Sequence, residues 1–221
     1  MREVDFSPKG EKTEGEKMKE LKYPAVKPKR YSGKEKIVSG SGETVATMND
    51  FWSWAYSDVL GNTERGIFAE YLVAKALRVD YKDRISWDKY DLLSDEGISV
   101  EVKSSGYFQT WGQKEKSKLI FGIQPTKGWD YETDEFQEEC KRQAEVYVFC
   151  VFKCEEKNEN MNPLDLCQWD FYLIPTVVLD EKLGKQKTVT LNKLLEIGAK
   201  KCIYENLHKQ IVDIVRGGKD T

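Results

Sequence analysis

The chain has a single histidine and no hydrophobic run that could cross a membrane. His208 stands in the polar segment 206–210, where we expect it at the surface, so a histidine-dependent hydrolase would rest on one exposed residue. A membrane span needs about 20 consecutive apolar residues, and no run approaches that length. These absences argue against a Ser-His-Asp or Cys-His enzyme and against a membrane protein.

Cysteines are also few, and their spacing suggests neither a disulfide framework nor a metal site. Five are present, an odd number, and no Cys-x2-Cys pair occurs. Cys150 and Cys154 form a close pair, but Cys150 lies in an apolar run, which argues against an iron–sulfur cluster. The first residues carry Arg, Glu and Asp with no apolar core, so we expect no secretory signal and a cytoplasmic protein with reduced thiols.

Charge divides the chain into two parts. The net charge is −3, yet residues 1–45 hold 11 Lys and Arg against 8 Asp and Glu. This segment is rich in Gly, Pro and Ser and has no sustained apolar period, so we predict a flexible tail at 1–45 and one folded domain at 46–221. The folded part is acidic and would need a local basic patch to bind nucleic acid.

Apolar periodicity in the folded part predicts an α/β domain, a mixed β-sheet flanked by helices. Two helices are expected after residue 47, and Asn49 is the expected cap of the first. The predicted strands are 119–123, 146–152 and 169–174, the middle one buried on both faces. The other predicted helices are the later part of 128–142, a short one capped by Thr190, and an amphipathic one at about 207–215.

The most informative stretch runs from Tyr90 to Ser105 and has the pattern of a β-hairpin. Two apolar-rich arms flank Ser94-Asp95-Glu96-Gly97, whose Asp and Gly suit a tight reversal. In the second arm Glu101 and Lys103 are two residues apart, so the alternation of a strand places both on one face. Asp91 lies in the first arm, and we expect it close to them.

Two carboxylates and a lysine at one edge of a sheet can act on a phosphate. Carboxylate oxygens suit a hard divalent cation such as Mg²⁺, and the ammonium can orient a water or stabilise charge developing on the phosphate. The alternative is a strand face on which Glu101 and Lys103 are merely solvated. Glu70 lies inside an apolar helical stretch, so its carboxylate must reach the rim, find a partner or serve a site.

The segment Gly106–Gln113 combines aromatic and amide side chains, and lysines follow it. Aromatic rings can stack on bases, and amides can contact phosphates or base edges. A loop whose aromatics only cover the core has the same composition. The candidate substrate-binding residues are Gln109, Trp111, Gln113 and Lys114.

With these segments in this order, the chain resembles the PD-(D/E)XK nuclease superfamily, which has the restriction-endonuclease-like fold. The resemblance rests on a helix that carries Glu70, a strand arm that ends in Asp91, and a strand that carries Glu101-Val102-Lys103. Tyr90 stands where the family's nominal proline would be, a departure the superfamily often shows. The matched part covers about residues 63–152.

The resemblance implies an αβββαβ core with a C-terminal elaboration, and a metal-dependent nuclease. By similarity, Asp91, Glu101 and the backbone carbonyl of Val102 would bind Mg²⁺ or Mn²⁺. Lys103 would act on the attacking water and Glu70 would assist the metal site. Gln109 or Gln113 would correspond to the glutamine that some members carry after the motif.

The expected activity is therefore that of a Mg²⁺-dependent endodeoxyribonuclease, a hydrolase that cuts phosphodiester bonds in DNA. No membrane partner is expected, and a homodimer is compatible with the pattern. The alternative hypothesis is the same fold without catalysis, a binding module for a protein or nucleic-acid partner. That alternative predicts no metal affinity.

Overall fold

A computed structural model of the protein describes residues 23, 26, 28–84, 89–130 and 135–217. The strands in these ranges are β1 (Lys36–Val38), β2 (Thr44–Thr47), β3 (Leu92–Leu93), β4 (Ser99–Gly106), β5 (Ile120–Gly122), β6 (Thr126–Asp130), β7 (Glu135–Lys141), β8 (Val146–Phe152), β9 (Trp169–Pro175), β10 (Thr188–Thr190) and β11 (Lys200–Cys202). The α-helices are α1 (Met48–Tyr56), α2 (Asn62–Ala76), α3 (Thr176–Leu183), α4 (Leu191–Glu196) and α5 (Leu207–Gly217). None of these helices has the length and apolar content that a membrane span requires.

The centre of the fold is a five-stranded sheet with the order β11-β9-β8-β4-β3. β4 and β8 run parallel, from Val100 opposite Val146 to Gly106 opposite Phe152, and the other neighbours are antiparallel. Parallel neighbours need a crossover connection, which residues 107–145 supply here. The predicted mixed α/β fold, with helices on the sheet, is confirmed.

Every residue of β8 is buried, and the strand belongs to two hydrophobic cores. Val146, Val148, Cys150 and Phe152 pack with α2 and α5 on one face of the sheet. Tyr147, Phe149 and Val151 pack with α3, α4, β5 and β10 on the other. An apolar run without alternation is typical of a strand covered on both faces, and this prediction for 146–152 is confirmed.

Helix α2 lies against β4 because its small and branched residues recur at helical spacing. Ala69, Leu72 and Val73 are buried in the core between helix and sheet. Arg65 lies one turn before Ala69 on the same side of the helix and is only 2% exposed. A charged side chain therefore continues the apolar face of α2.

The predicted hairpin is present as β3 and β4. Leu92 pairs with Val100, and the reversal at 94–97 is closed by the Ser94 amide, which donates to the Ile98 carbonyl at 2.9 Å. Gly97 has a φ of +81°, a conformation that glycine adopts without steric cost. The first strand has two residues, so Asp91 directly precedes β3.

Two predicted elements differ from the structure. The helix expected in the later part of 128–142 is instead the β6–β7 hairpin, in which Trp129 lies opposite Phe136. Cross-strand pairing of aromatic residues stabilises such a ribbon, and this overrides helix propensity. The strand predicted at 119–123 exists as β5 but pairs with β10 outside the central sheet.

The start of the described chain also differs. No strand was expected before residue 46, yet β1 and β2 form a hairpin there, and the Gly42 amide donates to the Ser39 carbonyl in its turn. The Ser-Gly run makes the turn and does not interrupt structure. Thr47, not Asn49, caps α1, because the Thr47 hydroxyl and the Asp50 carboxylate each accept the other residue's amide.

Substitution of Phe149 tests whether β8 is packed on both faces. The Phe149 ring is fully buried, 4.9 Å from the ring of Phe121 between centroids. We expect Phe149→Ala to lower the free energy of unfolding by about 3–5 kcal/mol, because it leaves a cavity in the core. Urea unfolding measures the change, and Trp54→Ala, on a side chain that is 85% exposed, is the control with an effect within about 0.5 kcal/mol. Equal effects would contradict the assigned core.

Candidate functional site

Asp91 is fixed beside the middle of β4 by a backbone hydrogen bond. Its Oδ2 accepts from the amide of Val102 at 2.7 Å, across the hairpin from its own strand. The bond turns the carboxylate toward β4, where the side chains next to Val102 in sequence are Glu101 and Lys103. The proximity expected between the first arm and the second is therefore observed.

Glu101 and Lys103 share one face of β4 and form an ion pair. Lys103 Nζ donates to Glu101 Oε1 at 2.5 Å. The Lys103 side chain is 31% exposed and the Glu101 side chain 18% exposed. Both side chains are less exposed to solvent than side chains on a fully solvated strand face. The geometry favours a site over two independent surface charges.

Glu70 approaches the same region from α2 and is held by an arginine. Arg84 donates through Nε and Nη2 to the two carboxylate oxygens, at 2.5 and 3.0 Å. Such a forked pair fixes a carboxylate in orientation as well as in charge. Glu70, Asp91, Glu101 and Lys103, called here the carboxylate–lysine cluster, are near enough for Glu70 to influence both Asp91 and Lys103 electrostatically.

The charged groups of this cluster shift one another's pKa values. Burial, and then the neighbouring charge of Glu101, raise the pKa of Asp91 to about 7. Burial disfavours the charged form of Lys103, but the carboxylates of Glu101 and Asp91 outweigh it and raise the pKa of the ammonium. Lys103 is therefore a cation at neutral pH, while Asp91 exchanges its proton near that pH.

The cluster offers oxygen donors for a hard cation, though few of them. Within the described ranges, no three His, Cys, Asp or Glu side chains are grouped for metal binding. Asp91 and Glu101 supply two carboxylates, while Glu70 is engaged by Arg84. Mg²⁺ is commonly held by one or two carboxylates together with waters and substrate phosphates, so two are sufficient.

A cavity of about 840 Å³ opens beside Glu70 and Asp91. Charged side chains of both signs line it. The basic ones are Lys29, Arg30, Lys82 and Arg84, and the acidic ones are Glu70, Asp80, Asp83 and Asp91. The four basic and four acidic side chains balance each other, so the lining of this cavity has no excess charge of either sign.

Two of the four predicted substrate-binding residues line a second cavity, of about 360 Å³. Gln109 and Trp111 line it, the first 4% and the second 55% exposed. Gln113 holds the loop together, since its side chain bonds the Gln109 amide and the Ser117 hydroxyl. Lys114 is exposed and is not among the residues lining either cavity.

Three residues near these features were not predicted. Arg84 lies in a loop, and no periodicity indicates its contact with Glu70. Tyr147 lies opposite Glu101 in β8, and burial and then that carboxylate raise the pKa of its phenol. The burial of Arg65 could have been predicted from the sequence, because Arg65 precedes the buried Ala69 by four residues and Leu72 by seven, the spacing of one helix face.

Comparison with known proteins gives one family. The family model described as bacteriophage T4 endonuclease IV matches residues 13–193, most of the chain. That range includes Glu70, Asp91, Glu101 and Lys103, as well as both cavities. A search of curated proteins finds no match.

The raised pKa of Asp91 predicts a dependence of stability on pH. The folded protein keeps the Asp91 proton up to a pH of about 7, against an ordinary value of 3.8. The free energy of unfolding of the metal-free protein should therefore fall as the pH rises between those values, by about 1.4 kcal/mol or less for each pH unit. Asp91→Asn should flatten this fall.

Urea unfolding in EDTA at a series of pH values measures the effect. Asp213→Asn, at an exposed position of α5, is the matched control and should keep the wild-type slope. An Asp91→Asn protein with the same pH dependence as wild type would show that Asp91 is not held protonated.

Proposed function

The chain belongs to the bacteriophage T4 endonuclease IV family, and from this premise we propose that it is a metal-dependent nuclease of the PD-(D/E)XK type that hydrolyses phosphodiester bonds in DNA. Family membership supports the nuclease activity. The metal, the DNA substrate and the superfamily are inferences from the carboxylate–lysine cluster.

The observation that carries the proposal is the position of three side chains on one hairpin. Asp91 bonds the Val102 amide, while Glu101 and Lys103 flank that same residue and pair with each other. The strand that carries them runs parallel to β8, and α2 brings Glu70 to the same place. An acid, Glu-x-Lys and a helical glutamate in this arrangement support the PD-(D/E)XK assignment.

The residues fit a divalent cation. Burial, and then repulsion from Glu101, raise the pKa of Asp91, and the Lys103 ammonium offsets part of that repulsion. A cation bound to their oxygens and to the Val102 carbonyl would remove that repulsion. When bound, Mg²⁺ or Mn²⁺ supplies charge neutralisation at the phosphate and acidifies water.

The protein's own groups would then divide the remaining work. Asp91 and Glu101 would hold fixed positions relative to each other. Asp91 accepts a bond from a β4 amide, and Glu101 is itself a residue of β4, which pairs with β3. The Lys103 ammonium stabilises negative charge that develops on the phosphate, a role that suits its raised pKa better than that of a base. The Glu70–Arg84 pair stays beside Asp91 and keeps the arginine at the wall of the larger cavity.

Cleavage of plasmid, linear and single-stranded DNA with Mg²⁺, with Mn²⁺ and with EDTA tests the proposal. We expect metal-dependent cleavage that Glu101→Gln and Lys103→Met each lower by about 100-fold or more, because the first removes a ligand of the metal and the second removes the ammonium that stabilises charge on the phosphate. RNA under the same conditions tests the preference for DNA.

Two control variants match these changes: one removes a positive charge and the other a negative charge away from the cluster. Lys200→Met alters an exposed lysine on β11, at the opposite edge of the same sheet, and Glu138→Gln alters an exposed carboxylate of the β6–β7 hairpin. Both should retain wild-type activity. Cleavage that persists in EDTA would contradict metal dependence, and no cleavage of any substrate would favour the binding module instead.

A further inference from the structure

The second cavity differs from the first in the sign of its charges. It lies between the start of α2, the end of β4 and the loop that follows β4, and Arg65 and Lys118 are in its wall. Among the described residues that line it, none is a carboxylate. In a domain whose net charge is acidic, a concave surface with two cations and no acid favours an anion.

Arg65 is buried in this wall, and the described residues offer it no acidic partner. Its Nη1 donates to the Leu60 carbonyl at 2.9 Å and to Gln109 Oε1 at 3.2 Å, and its Nη2 donates to Asn62 Oδ1 at 2.6 Å. All three acceptors are neutral, and burial lowers the pKa of the guanidinium to about 10. Burying a charge without an opposite charge is costly, so such an arginine needs another reason to be there.

Two buried polar atoms in the same wall lack hydrogen-bond partners among the described residues. They are the Nε of Arg65 and the Oγ of Ser104. Ser104 lies on β4, and both residues line the cavity. An unsatisfied donor and an unsatisfied hydroxyl, on a helix and a strand that pack against each other, are both available for hydrogen bonds to an oxyanion.

Arg142 shows how this protein satisfies an arginine that only supports the fold. It is as deeply buried, at 5% exposed. Its Nε donates to the Ile123 carbonyl at 2.8 Å, and its other nitrogens donate to Asp180 and to the carbonyls of Gly184 and Gln186. Each nitrogen of the buried Arg142 guanidinium therefore donates at least one bond, one of them to a carboxylate, whereas among the described residues Arg65 has no carboxylate partner and no acceptor for its Nε.

The surrounding backbone also suits an anion. Helix α2 begins at Asn62 without a side-chain cap, so amides of its first turn are left without helical partners at the cavity edge. Gly106 lies next to the Arg65 guanidinium: a Cβ at this position would be 3.5 Å from Arg65 Nη1. The cavity includes Ser104 and Ser105, which directly follow Lys103 on β4.

We propose that Arg65 and Ser104 bind a backbone phosphate of the DNA next to the one that is cut, so that the second cavity sets the position of the strand on the carboxylate–lysine cluster. The ligand follows from the proposed function, whereas the anion site itself does not depend on it. Trp111, exposed at the rim, lies where a base attached to that phosphate can stack.

Nuclear magnetic resonance of the arginine side chains tests the anion site without any cleavage. Inorganic phosphate added to the wild-type protein in EDTA should shift the Nε–H signal of Arg65 and leave that of Arg142 unchanged. A short oligodeoxynucleotide should produce the same shift, and its uncharged methylphosphonate analogue should not. No shift with phosphate or DNA would overturn the proposal, and a shift with phosphate alone would make it a site for free phosphate.

Kinetics test the positioning role. We expect Arg65→Lys, which keeps the charge but loses the fork, and Ser104→Ala, which leaves the packing intact, to raise KM, the first about tenfold or more. The turnover number should change less than KM, because the phosphate is bound equally before and during the reaction. A loss confined to kcat in both variants would contradict the assignment.

The two proposals fail separately. A protein that binds phosphate at Arg65 but cuts no DNA would contradict the nuclease proposal and leave the anion site standing. A protein that cuts DNA while the Arg65 signal stays fixed would contradict the anion site alone.

Discussion

The alternation of side chains along β4 is the constraint on which the rest of the structure depends. The strand is paired on both edges, with β3 and β8, so its register is fixed twice. Val100 and Val102 enter the core below α2, and this leaves Glu101 and Lys103 on the other face. A slip of one residue would bury both charges and expose both valines, so the core itself enforces the position of the candidate site.

That position is unfavourable for stability, which indicates a role other than holding the fold. Asp91 and Glu101 lie near one lysine, and Glu70 needs Arg84 beside it. Buried ion pairs often contribute little to stability, because removing charges from water offsets their attraction. Perturbed acids in a cleft are typical of functional sites, although structural charge networks also perturb pKa values. Arg65, buried with no carboxylate partner in the described part of the chain, extends the same pattern to the C-terminal end of β4.

Sequence patterns predicted what depends on local periodicity. The apolar run of β8, the Asp-Gly reversal before Ile98 and the Thr190 cap of α4 all have short-range signals, and all are present. The β6–β7 hairpin was mistaken for a helix because its strands are polar and its stabilising pairs are formed across the ribbon. The contact of Glu70 with Arg84 and the pairing of β5 with β10 join residues far apart in sequence, where periodicity carries no information.

Binding of Mn²⁺, measured by calorimetry, tests the central claim most directly, because it isolates the carboxylates from every later step of cleavage. The account predicts a metal site on the wild-type chain that Asp91→Asn and Glu101→Gln each abolish and that Glu138→Gln leaves intact. Unchanged Mn²⁺ binding in the Asp91 and Glu101 variants, or no binding to the wild-type protein, would contradict it.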